Sequence, residues 1–159
     1  MARYYKRSRR YGRSKRATER SIKAGTASLP PKTGNDPTTY TAYFFTTDKP
    51  MTIRSISLDV GVSATSSTTL ASTKAVYALV VVREGYDSNN LNWPAVETDL
   101  YNPTQDVLIS GVLTGSNDDH KRNMIGRKMK TGDRLALLVA NVSATASDVG
   151  FELSFTSVY

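Results

Sequence analysis

The chain has 159 residues, 22% of them charged, with no cysteine, one histidine and a formal net charge of +7. Without cysteine there is no disulfide, thiolate metal site or thiol nucleophile, and a single His120 excludes most histidine-based catalysis and histidine metal clusters. The length suits one domain of about 130 residues with an appendage, and no apolar run is long enough to cross a membrane as a helix.

The charge is not spread evenly. Residues 1–23 hold ten basic residues and one acidic residue, Glu19, for +9. Residues 24–159 hold eleven basic and thirteen acidic residues, for −2. The basicity therefore belongs to the first segment, and the body is close to neutral. Like charges this dense repel, and only Ile22 among its aliphatics could join a core, so the segment is expected to be disordered on its own. No apolar run follows the charges, which argues against a secretory signal. Tyr4, Tyr5 and Tyr11 make no apolar stripe, and Gly12 and the serines weaken a helix, which argues against a membrane-surface helix. A mitochondrial presequence shares the Arg/Ser-rich composition, but Tyr5-Lys6-Arg7 and Arg9-Arg10 put charge all round rather than on one face.

A polyanion-binding arm fits the segment best. Lys or Arg on phosphate releases condensed counterions and binds without reading sequence. Seven arginines to three lysines favour the planar fork that also stacks on bases, and the interleaved tyrosines favour unpaired strands. The expected nucleic-acid contacts are Arg3, Tyr4, Tyr5, Lys6, Arg7, Arg9, Arg10, Tyr11, Arg13, Lys15, Arg16, Arg20 and Lys23. A solubilising tail or a nuclear-import signal is the plainer reading, and import is compatible with binding.

Residues 24–37 turn to Gly, Thr, Ser and Pro, and Pro30-Pro31 forbid helix, so this stretch reads as a linker. Arm and linker together could reach about 120 Å when extended. Residues 38–159 then read as strands. Thr38–Thr47 is β-branched and aromatic, with Asp48-Lys49-Pro50 as a turn. In Met51–Val62 the residues Ile56, Leu58, Val60 and Val62 alternate, while Met51 and Ile53 have the other parity, which predicts a bulge near Arg54-Ser55. Ser63–Thr73 reads as an exposed loop. Ala75–Arg83 is apolar on both faces, the mark of a central strand. Glu84–Pro94 is a long polar loop that leads to Trp93. Val96–Tyr101 fits a short strand or a helical turn, and Asn102-Pro103 ends it. Val107–Leu113 is a strand with Gly111 inside, and Gly115–His120 is a turn cluster. Lys121–Lys130 fits strand or helix. Thr131-Gly132-Asp133 turns into a buried strand, Arg134–Asn141. Val142–Gly150 reads as a loop, and Phe151, Leu153 and Phe155 alternate in the last strand. Seven or eight strands at this spacing, without a helical period, predict an all-β fold. The long polar connections favour a jelly-roll sandwich over an up-and-down barrel.

Few residues invite chemistry. Asp118-Asp119-His120 could hold a divalent cation, but its turn composition explains the acids without a ligand. No carboxylate pair stands out as an acid/base couple, and no nucleophile elbow, phosphate loop or dinucleotide fingerprint is present. The chain is expected not to be an enzyme, with no catalytic residue, metal or cofactor. Trp93 and Tyr101 are either interface anchors or covers for the core. Lys121, Arg122, Arg127, Lys128 and Lys130 form a second basic group, which either extends a nucleic-acid surface or is simply solvated, with no single clean stripe.

The Arg3-Tyr4-Tyr5-Lys6-Arg7-Ser8-Arg9-Arg10-Tyr11 stretch, a Pro-containing linker and one β-sandwich together resemble the capsid proteins of small circular single-stranded DNA viruses that encode a replication initiator, the circovirus-like and nanovirus-like group. Plant satellite-virus capsid proteins of similar size are the next resemblance. The likeness covers the arm by composition and the body by architecture, and the body is small for a circovirus. It implies a jelly-roll subunit at residues 38–159, self-assembling as about 60 copies in the simplest icosahedral (T=1) shell. The arms would lie inside on single-stranded nucleic acid, DNA rather than RNA. It further implies a virion protein that visits the host nucleus through an import receptor, with no membrane partner. The other reading is a cellular nucleic-acid-binding protein of ribosomal type with a basic tail. Such proteins usually carry basic charge on the folded body as well.

Overall fold

The computed structural model describes residues 17–64, 73–94, 100–115 and 118–159. Nine strands are described: β1 (Thr18–Leu29), β2 (Thr38–Thr46), β3 (Met51–Ala64), β4 (Lys74–Val82), β5 (Gln105–Thr114), β6 (Asp119–Asn123), β7 (Arg127–Met129), β8 (Arg134–Asn141) and β9 (Ser147–Val158). They form two antiparallel sheets. One has the order β1-β9-β3-β6, with β7 also on β3; the other has the order β2-β8-β4-β5.

The pairing is nested. The first strand pairs with the last, the second with the eighth, the third with the sixth and seventh, and the fourth with the fifth. A long hairpin folded over itself gives this order, which is that of a jelly roll. The two short strands β6 and β7 share the one place beside β3.

Alternation places the core. Ile56, Leu58, Val60 and Val62 of β3 meet Val149, Leu153 and Phe155 of β9 and Ala75, Tyr77, Leu79 and Val81 of β4 between the sheets. The predicted bulge is present: the β3–β9 register shifts between Ile53 and Ser55. Strands β4 and β8 are apolar over Ala75–Val82 and Leu135–Ala140 because both of their faces are covered there. Their odd-numbered side chains fill the core between the sheets. Ala78, Val80, Val82, Ala136 and Leu138 pack outward under Leu91, Trp93 and Leu100 of the long β4–β5 connection. Trp93 is thus a core cover, while Tyr101 is 65% exposed.

Several expectations need correction. β1 runs through residues assigned to the arm and the linker, in unbroken register with β9 from Thr18↔Val158 to Leu29↔Ser147. The sandwich therefore starts at Thr18 rather than at residue 38. Ile22 does not join the core; it is 57% exposed on the outer side of β1. Asp119 and His120 belong to strand β6 and not to a turn; of the two forms left open for residues 121–130, strand is found at 121–123 and 127–129, with non-strand residues at 124–126 and 130. The last loop is short, because β9 starts at Ser147, whose side chain is fully buried. Most of the expected 63–73 loop and of the 96–101 element lies outside the described residues.

Candidate nucleic-acid interface

Of the expected contact residues, Arg3, Tyr4, Tyr5, Lys6, Arg7, Arg9, Arg10, Tyr11, Arg13, Lys15 and Arg16 lie outside the described residues. Arg20 and Lys23 do not belong to an arm; they are exposed side chains of edge strand β1. Odd parity separates them. Lys23 sits beside Phe45, Met51 and Phe155 at the open margin of the sandwich, whereas Arg20 faces out across the five-stranded sheet with Ser55, Ser57, Arg122, Ser154 and Thr156.

Register extends that outer face row by row. Thr18, Val158, Thr52 and Lys128 form the first row; Arg20, Thr156 and Ser55 the second; Ile22, Ser154, Ser57 and Arg122 the third. Arg54, the extra residue of the bulge, is exposed beside Ser55, with buried Ile53 and Ile56 on either side of the pair. These three rows contain no carboxylate. The next rows do. Ala24, Glu152, Asp59 and His120 share a row, and His120 Nδ1 and Asp59 Oδ1 are in exposed hydrogen-bond contact. Asp118 lies over Gly61, and Asp148 pairs with Ser28 one row further.

The second basic group therefore splits by parity. Arg122 and Lys128 face outward and have no ion pair to a described residue. Lys121 reaches Asp119 at 3.6 Å, and Arg127 holds Asp106 at 2.8 Å. Asp106 also binds Arg83, whose other nitrogen donates to Asp133 at 2.7 Å. This Arg127–Asp106–Arg83–Asp133 chain was not visible in the sequence, because its members stand at four separate strand ends. The basic residues it uses are neutralised and structural.

The acidic-histidine triplet does not converge. Asp118 covers Gly61, His120 turns out to Asp59, and Asp119 turns in to accept a hydrogen bond from Tyr77 Oη at 2.7 Å. Among the described residues no group of three or more His, Cys, Asp or Glu could hold a metal ion. Burial pushes the Tyr77 phenol well above its ordinary range, and the hydrogen bond and negative charge of Asp119 add to the shift. Tyr77 thus remains a neutral donor. Gly111 makes room for the pair. A Cβ there would stand 2.5 Å from the phenol oxygen and 2.6 Å from the Asp119 carboxylate. Gly111→Ala is expected to cost about 1–3 kcal/mol through overpacking. A thermal melt should show a Tm several degrees lower; an unchanged Tm would contradict the packing.

No helix among the described residues is long and apolar enough to cross a membrane. No protein-family model matches the chain, and no curated protein matches it. Among solved structures it is similar to the capsid protein of beak and feather disease virus as a decamer, with TM-score 0.48 and 10% identity over 91% of this chain and 99% of that one. It is likewise similar to the 60-mer of the same protein, with TM-score 0.45 and 8% identity over 91% and 93%. A CocE/NonD family hydrolase from Staphylococcus aureus is similar over 86% of this chain but 33% of its own length, with TM-score 0.41 and 11% identity. These likenesses are distant, and the strand order alone defines the architecture.

Proposed function

We propose that the chain is a viral coat protein that assembles with copies of itself into a small icosahedral shell and packages single-stranded nucleic acid, DNA in preference to RNA, through residues 1–16. The observation that carries this reading is the charge partition relative to the fold. Residues 1–16 hold eight basic and no acidic residues, and they lead directly into β1 at one corner of a jelly roll whose chain from residue 24 onward is nearly neutral. A near-neutral body can pack against copies of itself without large repulsion. The basic segment supplies the affinity for a polyanion, and about 60 copies would bring on the order of 500 positive charges into one cavity. The same segment suits recognition by a nuclear-import receptor, which would place assembly in the host nucleus and the product in the virion. In this role the protein works by assembly and binding and not by catalysis.

Size-exclusion chromatography of the full chain tests the proposal. Particles of about 1 MDa are expected, from about 60 chains of 17.4 kDa. The particle peak should absorb more in the nucleic-acid band than protein alone, with uniform shells by negative stain. A monomer or small oligomer that retains nucleic acid would instead favour the ribosomal-type reading. Binding should be steep in salt and indifferent to sequence; a strong preference for one sequence at fixed salt would count against it.

A further inference from the structure

We infer that the first three rows of the outer face of the five-stranded sheet form a second phosphate-binding surface, on which single-stranded nucleic acid lies after leaving residues 1–16. This rests on the reading of residues 1–16 as the primary nucleic-acid contact, and it adds a folded, positioned component to it. Three observations support it.

The first is the absence of internal neutralisation. Arg20, Arg54, Arg122 and Lys128 all belong to this face, and none has an ion pair to a described residue. Three basic residues at the neighbouring sheet edge and strand ends differ: Arg83, Lys121 and Arg127 are held by Asp106, Asp119 or Asp133. The nearest carboxylates on the same face, Asp59 and Glu152, stand one row beyond Arg122 and two or more rows from Arg20, Arg54 and Lys128.

The second is the company they keep. Ser55, Ser57, Ser154 and Thr156 stand between the arginines, and with Arg20 and Arg122 they line one shallow concavity. Hydroxyls beside guanidinium forks are suited to phosphate oxygens, because each hydroxyl adds a neutral donor where the charge is already balanced. Outward rows on a strand are about 6.8 Å apart, so the three rows present donors over a length that several phosphates can follow.

The third is direction. Residue 17 immediately precedes the first row, so the eight charges of residues 1–16 attach at the basic end of the face. Glu152, Asp59, Asp118 and Asp148 occupy the other end. A polyanion held by residues 1–16 is attracted to the near rows and repelled by the far ones. The face is therefore a short docking strip with a defined stop.

The test uses the full chain and a fluorescein-labelled oligothymidylate, with the dissociation constant measured across a salt series. For single strands each phosphate contact contributes about 0.7 to the slope of log K against log salt. The triple variant Arg54→Ser, Arg122→Ser, Lys128→Ser should flatten the slope by about 2. A charge-matched control, Lys32→Ser, Lys49→Ser, Lys74→Ser, alters residues away from this face and should leave the slope unchanged. Equal slopes for the two triple variants would overturn the inference while leaving residues 1–16 as the binding segment. No salt-dependent binding by the unaltered chain would overturn that earlier reading and this one with it. Equal loss of slope on a duplex of the same length would overturn the assignment to single strands. A measurement free of substitutions stands beside these. Photo-crosslinking of 4-thiothymidine oligomers to the unaltered chain should label peptides of β3, β6 and β9 that carry Ser55, Arg122 and Ser154. Label confined to residues 1–16 would overturn the inference.

Discussion

Removal of residues 1–16 should leave the unfolding midpoint of the chain within a degree or two of the full-length value, while removal of residues 1–23 should lower it by about 10 °C. Both deletions should abolish nucleic-acid binding at moderate salt, leaving only weak, low-salt binding by the outer face of the sheet. The difference comes from where β1 starts. Cutting after Arg16 spares every ladder pair between β1 and β9. Cutting after Lys23 removes the pairs from Thr18↔Val158 to Lys23↔Leu153, which is half of a twelve-residue strand. The roughly six lost ladder bonds of this exposed edge cost about 0.5 kcal/mol net each, and Phe155 and Ser157, which are 5% and 1% exposed, lose cover. A total of about 2–4 kcal/mol is expected, and for a chain of this size each kcal/mol moves Tm by about 4 °C. The newly bare half of β9 would also be an unprotected edge, so the shorter chain should aggregate at lower temperature. Circular dichroism and static light scattering read both effects. Equal midpoints for the two deletions would contradict a β1 that starts at Thr18. Retention of nucleic acid by the 17–159 chain at moderate salt would contradict the role of residues 1–16.

That boundary shows where the sequence was informative and where it was not. The core strands were legible because their pattern is set by burial. Ile56, Leu58, Val60 and Val62 alternate because one face of β3 is inside. The parity break at Met51 and Ile53 is the trace of the bulge at Arg54-Ser55. The continuous apolar run of β4 reports two covered faces, the second covered by Leu91, Trp93 and Leu100. β1 carries no such pattern. Its inward positions are Glu19, Ser21, Lys23, Gly25, Ala27 and Leu29, and only the last two are buried apolar residues. An edge strand of a sandwich can keep charged and polar residues, and charged edges discourage unwanted pairing. Its strand identity comes from β9, more than a hundred residues away, and local composition cannot report that. Gly25 shows the dependence: the Phe151 ring of β9 lies where a Cβ at Gly25 would stand. The start of β9 was hidden for a related reason, since buried Ser147, Asp148 and Gly150 read as loop. The candidate interface was half legible. Composition marked residues 1–23 and a second basic group at residues 121–130, but showed no single clean stripe in the latter. Only the fold brings Arg20 and Arg54 onto one face with Arg122 and Lys128, across the width of the five-stranded sheet.

Asp133→Ala is expected to be the most damaging single substitution at the turn end of the sandwich, with a loss of about 2–4 kcal/mol in urea unfolding. Asp133 is 2% exposed and ties three connections together. Its carboxylate accepts from Lys130 N at 2.9 Å, closing the turn before β8. It accepts from Arg83 Nη1 at 2.7 Å and from Glu84 N at 3.3 Å, fixing the exit of β4. Its carbonyl oxygen accepts from Thr47 N at 2.9 Å and Thr47 Oγ1 at 3.0 Å, anchoring the β2–β3 turn. Alanine keeps the carbonyl contacts and loses the carboxylate ones. That leaves two backbone donors without their acceptor and Arg83 with Asp106 alone. The upper end of the range for a broken buried pair does not apply, because the Arg83 side chain is 31% exposed and water can reach it. Asp133→Asn retains one acceptor oxygen and should cost about half as much. Asp106→Asn should cost least, although Asp106 holds two arginines, because its side chain is 25% exposed and ion pairs open to solvent contribute little. The expected order is Asp133→Ala, then Asp133→Asn, then Asp106→Asn. If Asp106→Asn proved the most damaging, the weight of the network would rest on its charge count. The expected order places it on the buried carboxylate, where three chain connections meet.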